Sequence, residues 1–326
     1  MNVNGRNTRF IYFLKQSPMT ASILILNLLM YLLTIVSGSG NIWNGASTST
    51  LIQFGAQYGP YVSNGEWYRL MTANFLHGGL LHLFFNSYAL FYFGIIVEKV
   101  FTSQKFIFIY IISGVVGNLL TQVFFPSVPS VGASGAIFGL IGLMFAAGIN
   151  GTIQGRLRGF AGTALLPMIL INLFLGFTVP GINNYAHIGG LATGFLLGFV
   201  LSPNAAFHVW QRKFWLVVQY ICIALVVICL ILNFVNIKPS VDKVISFHNT
   251  FVRMMSDTYR LTDKSRYSYY TDLLDPVDGD TRHLKEMAEN YFKSNGTDPD
   301  ISVLQTEFKS WQSEILDIYD LSLQSE

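Results

Sequence analysis

Long apolar stretches alternate with short polar connections over the first 236 residues of the chain. Seven of these stretches approach the roughly 20 apolar residues that a helix needs to cross a bilayer. We therefore predict membrane-spanning helices over residues 19–36, 80–98, 106–124, 134–149, 160–178, 185–201 and 214–235. The pattern changes at Lys238-Pro239, where polar residues become frequent and continuous apolar runs end.

The region after this boundary, residues 237–326, has apolar residues at helical spacing. These residues are Val241, Val244, Ile245, His248, Phe251, Val252, Met255, Ile301, Leu304, Phe308, Trp311 and Ile315. Turn signals at Asp275-Pro276, Asp278-Gly279, Asn295-Gly296 and Asp298-Pro299 divide the region into about three helices. We predict a small helical domain without a catalytic site of its own, which serves as a structural module or docks an unknown protein.

Composition supports the division into a membrane region and a polar tail. Hydrophobic residues make up 52% of the chain, and charged residues make up 12%, about half the share usual in soluble proteins. Residues 1–236 contain 10 basic and 2 acidic residues, whereas residues 237–326 contain 10 basic and 16 acidic residues. The overall net charge of +2 hides this difference, and we expect no nucleic-acid partner.

The basic residues of the membrane region predict an orientation. Nine of its ten basic residues fall on one side of the predicted spans, and only Arg69 falls on the other. The nine are Arg6, Arg9, Lys15, Lys99, Lys105, Arg156, Arg158, Arg212 and Lys213. The positive-inside rule then places the amino terminus in the cytoplasm. With seven spans, the carboxyl-terminal region is extracytoplasmic, and we expect the cell membrane of a bacterium.

This orientation divides the chain into four parts. Residues 1–18 form a cytoplasmic segment, and residues 19–202 form a core of six spans. Residues 203–236 hold a cytoplasmic loop and the seventh span, and residues 237–326 form the extracytoplasmic helical tail. The first span lacks a convincing cleavage site, so we interpret it as a retained signal anchor.

Four polar side chains fall at one predicted depth, in the outer third of the membrane. Ser134 begins the fourth span within Gly132-Ala133-Ser134-Gly135, and His187 lies near the start of the sixth. His82 and Asn86 are four residues apart in the second span and therefore share one helix face. Ionisable groups inside a bilayer are costly and seldom kept without a role. A serine and a histidine that meet there suggest the nucleophile and base of a serine hydrolase.

Glycines in two of the predicted spans permit close approach of helices. They are Gly135, Gly139 and Gly142 in the fourth span, and Gly190, Gly194 and Gly198 in the sixth. If the two stripes face each other, Ser134 and His187 come within hydrogen-bonding distance. Such stripes also occur in transporters, and an intramembrane serine is often only a packing residue. The alternative function is therefore a non-proteolytic membrane transporter or a membrane chaperone that binds clients.

Four motifs, in this order, resemble those of the rhomboid family of intramembrane serine proteases. They are GEWYRL at 65–70, HGGLLHLFFN at 77–86, GASGAIFGLIG at 132–142 and AHIGGLATGFLLG at 186–198. The resemblance covers about residues 18–202. It implies an all-α membrane protein with a six-helix rhomboid-like core, to which this chain adds a seventh transmembrane helix and a small helical soluble tail.

The resemblance also implies roles for individual residues. Ser134 corresponds to the nucleophile and His187 to the general base of a dyad without an acidic third member. His82, Asn86 and the Ser134 backbone N–H correspond to the groups that stabilise the oxyanion, and Phe138 to the ring on which the histidine packs. Supporting positions around the nucleophile and in the first outer loop are Trp67, Arg69, His77, Gly132 and Gly135.

The implied activity is that of a serine endopeptidase whose substrates are membrane-spanning helices of other proteins. Cleavage is expected near the extracytoplasmic boundary, because the predicted site lies close to that surface and hydrolysis needs water. The histidines lack the carboxylate or cysteine neighbours of a zinc site, so we expect neither a metal nor another cofactor. Partners are then the lipid bilayer and transmembrane proteins.

Overall fold

The computed structural model describes residues 15–38, 40–153, 155–179, 181–203, 209–237, 241–258, 271–276, 279–293 and 298–319. Several positions used above lie outside the described residues: Arg6, Arg9, Lys238, Pro239, Asp278, Asn295 and Gly296. The chain divides into two compact units, Met1–Ile237 and Lys238–Glu326. The division falls at the change of composition found in the sequence.

The described part of the first unit is almost entirely helical. Its α-helices are α1 (Pro18–Ser37), α2 (Thr48–Gln53), α3 (Gly59–Ser63), α4 (Arg69–Thr72), α5 (Leu80–Phe101), α6 (Ser103–Phe124), α7 (Ser134–Ile149), α8 (Leu166–Thr178), α9 (Asn184–Val200) and α10 (Val209–Val235). Short 3₁₀ helices cover Ala73–Phe75, Gly155–Phe160 and Gly162–Leu165. Two strands that were not predicted, β1 (Gly40–Asn41) and β2 (Gly45–Ala46), form a two-residue antiparallel hairpin after α1.

Each predicted span overlaps a helix of the first unit. Helices α1, α5, α6 and α10 are long and apolar enough to cross a bilayer, whereas α7 and the segment Gly162–Thr178 are shorter apolar helices. Helix α7 begins and ends at the predicted residues, and α9 has 17 residues. The prediction of an all-α membrane protein is confirmed, apart from the small hairpin.

The fifth predicted span starts later than expected. Residues 160–165 lie in 3₁₀ turns, and the α-helix begins only at Leu166. Gly162 has a φ of +64°, a conformation that interrupts a right-handed helix. Pro167 follows in the first turn of α8. Backbone N–H groups in a first turn have no intrahelical acceptor, so the absence of an N–H in proline costs no hydrogen bond there.

Helices α7 and α9 pack with their backbones in contact. A Cβ atom added to Gly190 would lie 1.8 Å from the Gly135 carbonyl oxygen, and one added to Gly194 would lie 1.8 Å from that of Gly139. Any side chain at Gly190 or Gly194 would therefore force the helices apart. The two glycine stripes thus face each other along the helix pair.

A buried carboxylate joins the first helix to the end of α5. Glu98 is 3% exposed and accepts hydrogen bonds from the Met19 and Thr20 backbone N–H groups at 2.9 and 2.8 Å. The Thr20 and Ser103 hydroxyls donate to the same carboxylate at 2.6 Å each. The two backbone donors belong to the first turn of α1, where N–H groups lack intrahelical acceptors. Glu98 therefore caps α1 while fixing it to α5 and α6.

Among its described residues, the second unit contains α11 (Val241–Thr258), α12 (Gly279–Lys293) and α13 (Asp298–Tyr319), and residues 271–273 are also helical. Its core includes Val244, Phe247, Phe251, Met254, Leu284, Ala288, Leu304, Phe308 and Trp311. Val252, one of the apolar residues at helical spacing in α11, is 42% exposed. Phe247 lies in the core, three residues after Val244 and four before Phe251, and Met254 lies in the core three residues after Phe251.

Candidate active site

Ser134 is the first residue of α7 and follows a tight turn. Gly132 in this turn has a φ of +128°, which only glycine adopts readily. Its N–H donates to the Ala73 carbonyl at 2.9 Å, so the turn is fixed to residues that precede α5. The serine consequently lies at a helix amino terminus, where backbone N–H groups are unpaired and the helix dipole favours negative charge.

Asn183 fixes the start of the helix that carries His187. Its side-chain oxygen accepts from the backbone N–H groups of Tyr185 and Ala186 at 3.0 and 3.2 Å. Its amide nitrogen donates at 2.9 Å to the hydroxyls of Thr121 and Ser130. This one side chain therefore caps α9 and ties it both to α6 and to the segment leading to Ser134.

The serine and histidine side chains meet at the end of the paired glycine stripes. His187 Nε2 lies 2.9 Å from Ser134 Oγ, a hydrogen-bonding distance. The imidazole is 8% exposed and stacks on Phe138, with 4.3 Å between ring centres and 13° between ring planes. His187 Nδ1 has no hydrogen-bond partner among the described residues. Packing on an aromatic ring, rather than a hydrogen bond to a carboxylate, therefore orients this imidazole.

His82 and Asn86 converge on the turn before Ser134. A Cβ atom added to Gly132 would lie 2.7 Å from His82 Nε2 and 3.6 Å from Asn86 Nδ2. Both nitrogens therefore face the same backbone position, two residues before the serine. Asn86 Nδ2 also donates to the His82 carbonyl at 3.1 Å, which leaves its second N–H available.

A cavity of about 1570 Å³ borders these groups. Its lining includes His82, Asn86, Ser134 and His187, together with residues of the first loop (residues 40–79), α8 and α9. Trp43 also lines it and is 72% exposed, so the cavity reaches the protein surface at the first loop. The space is large enough for an extended peptide segment and for water.

Comparisons with known proteins place this chain in a family. A model of the rhomboid domain matches residues 64–204. The chain is 33% identical over 198 residues to the putative rhomboid protease YdcA of Bacillus subtilis, covering 94% of that protein with 60% of its own length. The chain belongs to the rhomboid family. The predicted resemblance is thereby confirmed.

Other rhomboid relatives extend beyond the length of this chain. It is 33% identical over 304 residues to the rhomboid protease GluP of Bacillus subtilis, and the matched region covers 91% of this chain and 55% of GluP. It is also 38% identical over 211 residues to RHOMBOID-like protein 4 of Arabidopsis thaliana, covering 59% of this chain and 53% of that protein. The chain thus spans about half the length of these two relatives.

In the rhomboid core, Arg69 organises the first loop. It is 2% exposed, pairs with Glu66 at 2.7 Å and donates to the carbonyls of Ile52 and Ala56. Its guanidinium lies 4.5 Å from the ring centre of Tyr61. Burial raises the pKa of the Tyr61 phenol to about 12, although the Arg69 charge opposes this shift. Arg69 therefore holds separate parts of the loop together.

The two remaining loop residues of the predicted site differ in burial. The His77 side chain is fully buried, with its ring centre 5.2 Å from that of His82. Burial lowers the pKa of His77 well below 6.5, and the adjacent His82 lowers it further. The neutral ring thus packs directly behind a candidate oxyanion donor. Trp67, by contrast, is 59% exposed, and its role in stabilising the loop stays a prediction.

The sequence analysis missed Asn183 and Glu98. Asn183 directly precedes α9 and has the residue type preferred for helix caps, so a search for capping residues would have found it. Glu98 is one of only two acidic residues among the first 236, and a rare charge in an apolar segment is itself a signal. Among the described residues, no three His, Cys, Asp or Glu side chains form a group that fits a metal ion.

Proposed function

We propose that this rhomboid-family protein is a serine endopeptidase that cleaves membrane-spanning helices of other proteins. The observation that carries the proposal is the 2.9 Å contact between His187 Nε2 and Ser134 Oγ. A serine used only for packing has no need of an imidazole nitrogen aimed at its hydroxyl. The stacking on Phe138 supports the same assignment, because it holds the imidazole in the orientation that proton transfer requires.

The proposed reaction starts with His187 as general base. The tautomer with its proton on Nδ1 leaves the Nε2 lone pair free to take the proton from Ser134 Oγ. The serine oxygen attacks the substrate carbonyl, and His187 then returns the proton to the leaving amine. Water subsequently attacks the acyl-enzyme while the same base removes its proton. The ester bond to Ser134 Oγ then breaks, and His187 returns the proton to this oxygen. The proton transfers thus need only the dyad and water.

The negative charge of the tetrahedral intermediate needs donors near Ser134. We assign this role to His82 Nε2, Asn86 Nδ2 and the Ser134 backbone N–H. The first two face Gly132 in the turn before the serine, and the third lies at the amino terminus of α7. A single donor of this kind contributes about 3 kcal/mol to stabilising a transition state.

The proposed substrate is a helix that unwinds near the outer membrane boundary. Peptide bonds within a helix are hydrogen bonded, so the scissile segment must leave the helical conformation before it reaches Ser134. The cavity has room for an extended segment. Cleavage on the extracytoplasmic side, a cytoplasmic amino terminus and an extracytoplasmic tail follow from the distribution of basic residues and belong to the proposal.

A fluorophosphonate probe tests the proposal, because it reacts with activated serines. We expect labelling of the purified full-length protein at Ser134, identified by mass spectrometry, and none in His187→Ala. Ser103 also begins a helix, but its hydroxyl donates to the Glu98 carboxylate and not to an imidazole, so it serves as the internal control and should stay unlabelled. A folded protein that remains unlabelled at Ser134 would favour the transporter or chaperone alternative.

A further inference from the structure

Helix α10 contains the seventh predicted span, and its outer end packs against the first loop. Asn233, in the last turn of α10, is 1% exposed, and neither atom of its amide has a hydrogen-bond partner among the described residues. The next residue, Phe234, meets Phe54 edge to face, with 6.2 Å between ring centres. A buried amide without partners is unfavourable by itself, because it has lost its hydrogen bonds to water. Its presence here calls for an explanation.

The amide faces a turn at residues 52–56. A Cβ atom added to Gly55 would lie 2.5 Å from Asn233 Oδ1 and also 2.5 Å from Thr72 Oγ1. Gly55 has a φ of +96°, and the Thr72 hydroxyl donates to its carbonyl at 2.7 Å. Arg69 holds the same turn through the carbonyls of Ile52 and Ala56. Helix α4 therefore holds one side of the turn, and Asn233 closes the other.

Two short routes connect this turn to the nucleophile. Gln57, directly after the turn, pairs with Ser130 through backbone hydrogen bonds of 3.0 and 2.8 Å. Ala73, directly after Thr72, accepts the Gly132 N–H at 2.9 Å. Both routes end in the segment immediately before Ser134. A displacement of the turn would thus be transmitted to the position of the serine.

We propose that Asn233 is a positioning residue for the nucleophile, so that α10 belongs to the catalytic unit of this chain although the dyad lies in the six-helix core. The inference rests on the proposed function. Asn233 is not one of the residues that line the cavity, and it acts by fixing the 52–56 turn. This explains why a polar side chain that destabilises the fold occupies a fully buried position.

Substitution of Asn233 should change stability and reactivity in different directions. In Asn233→Leu, the unpaired amide is removed, so the cost of burying it disappears. The methyl groups of leucine are larger than the amide oxygen and nitrogen and press on Gly55, which Asn233 already approaches closely. We expect unchanged or higher thermal stability together with a slower nucleophile.

The experiment compares full-length Asn233→Leu with the unmodified protein and with Asn236→Leu. Asn236 follows Asn233 by about one helical turn and is exposed. Because it receives the same substitution, it is a matched control. We expect the rate of fluorophosphonate labelling at Ser134, per folded molecule, to fall about tenfold in Asn233→Leu and to stay unchanged in Asn236→Leu. For a model substrate, kcat should fall while KM stays constant, because the cavity lining is untouched.

The outcomes separate this inference from the proposed function. If the unmodified protein is not labelled at Ser134, the proposed function itself fails. If it is labelled and Asn233→Leu reacts at the same rate per folded molecule, Asn233 has no positioning role, while the proposed function stands. Should Asn233→Leu not accumulate, Asn233→Ala provides the same measurement without added bulk. Failure of both variants to fold would show that Asn233 is purely structural and would overturn the inference.

Discussion

The helix pair α7–α9 and the first loop both border the candidate dyad, but they are held in place by different interactions. In the helix pair, glycines bring backbones into contact along most of the helix length. In the first loop, buried polar side chains of α4, Arg69 and Thr72, hold backbone carbonyls of the separate turn at residues 52–56. The helix pair depends on the absence of side chains, and the loop depends on their presence. Substitutions should therefore damage the two regions in different ways.

The largest loss of activity is expected from a substitution in the helix pair. In Gly190→Ala, the added methyl group collides with the Gly135 carbonyl, and backbone atoms cannot yield as a side chain does. We expect a loss of about 3 kcal/mol in stability. Proteolysis should fall about a hundredfold, because the Ser134–His187 distance increases. Thermal unfolding in detergent and a cleavage assay measure the two quantities.

Gly159→Ala is the matched control for this substitution. A Cβ atom at Gly159 meets nothing within 4 Å, and this glycine has no positive φ. Its stability and activity should match those of the unmodified protein. Equal losses in both variants would show that a methyl group added at any glycine, rather than a collision at the α7–α9 contact, explains the damage.

In the first loop, we expect a smaller loss of activity. Arg69→Leu removes the charge that pairs with Glu66 and both hydrogen bonds to the Ile52 and Ala56 carbonyls. Breaking a buried pair in this way destabilises a protein by about 3 kcal/mol. Because the dyad stays packed between α7 and α9, cleavage per folded molecule should fall only about tenfold. A loss as large as that of Gly190→Ala, measured per folded molecule, would contradict the distinction between the regions.

The sequence predicted the helix pair far better than the loop. Ser134, His187 and the glycines recur at helical intervals, so a periodic pattern shows which residues share a face. The contacts of Arg69, Asn183 and Asn233 join segments far apart in the chain, and no period marks them. The late start of α8 and the hairpin after α1 were missed for a similar reason, since they depend on single glycines and prolines and on tertiary contacts.

The loop also provides a dependence on pH. Burial lowers the pKa of His77 in the folded protein below its value of about 6.5 in the unfolded chain. Between these two pKa values the unfolded state binds more protons, so stability should fall as the pH decreases below about 6.5 and stay constant above it. His77→Gln should reduce this slope in thermal unfolding between about pH 5 and 7. An unchanged slope would mean that other groups cause the acid sensitivity.

The smallest effect is expected from the second unit. It has its own buried core, and the dyad and the cavity lining belong entirely to the first unit. A chain that ends after Ile237 should therefore cleave a model transmembrane substrate at nearly the rate of the full chain. A loss of tenfold or more would assign a direct role to the tail. The docking of a further protein on this unit stays a prediction, which a comparison of natural substrates cleaved by both chains would sharpen.

The central claim is that Ser134, activated by His187, hydrolyses a peptide bond of a membrane-spanning helix. The most direct test reconstitutes the purified full-length protein in liposomes with a model single-span substrate and determines the cut site by mass spectrometry. We predict a single region of cleavage near one end of the substrate helix, and no product with Ser134→Ala, a variant that should fold and insert normally. Undiminished cleavage by folded Ser134→Ala would contradict the account.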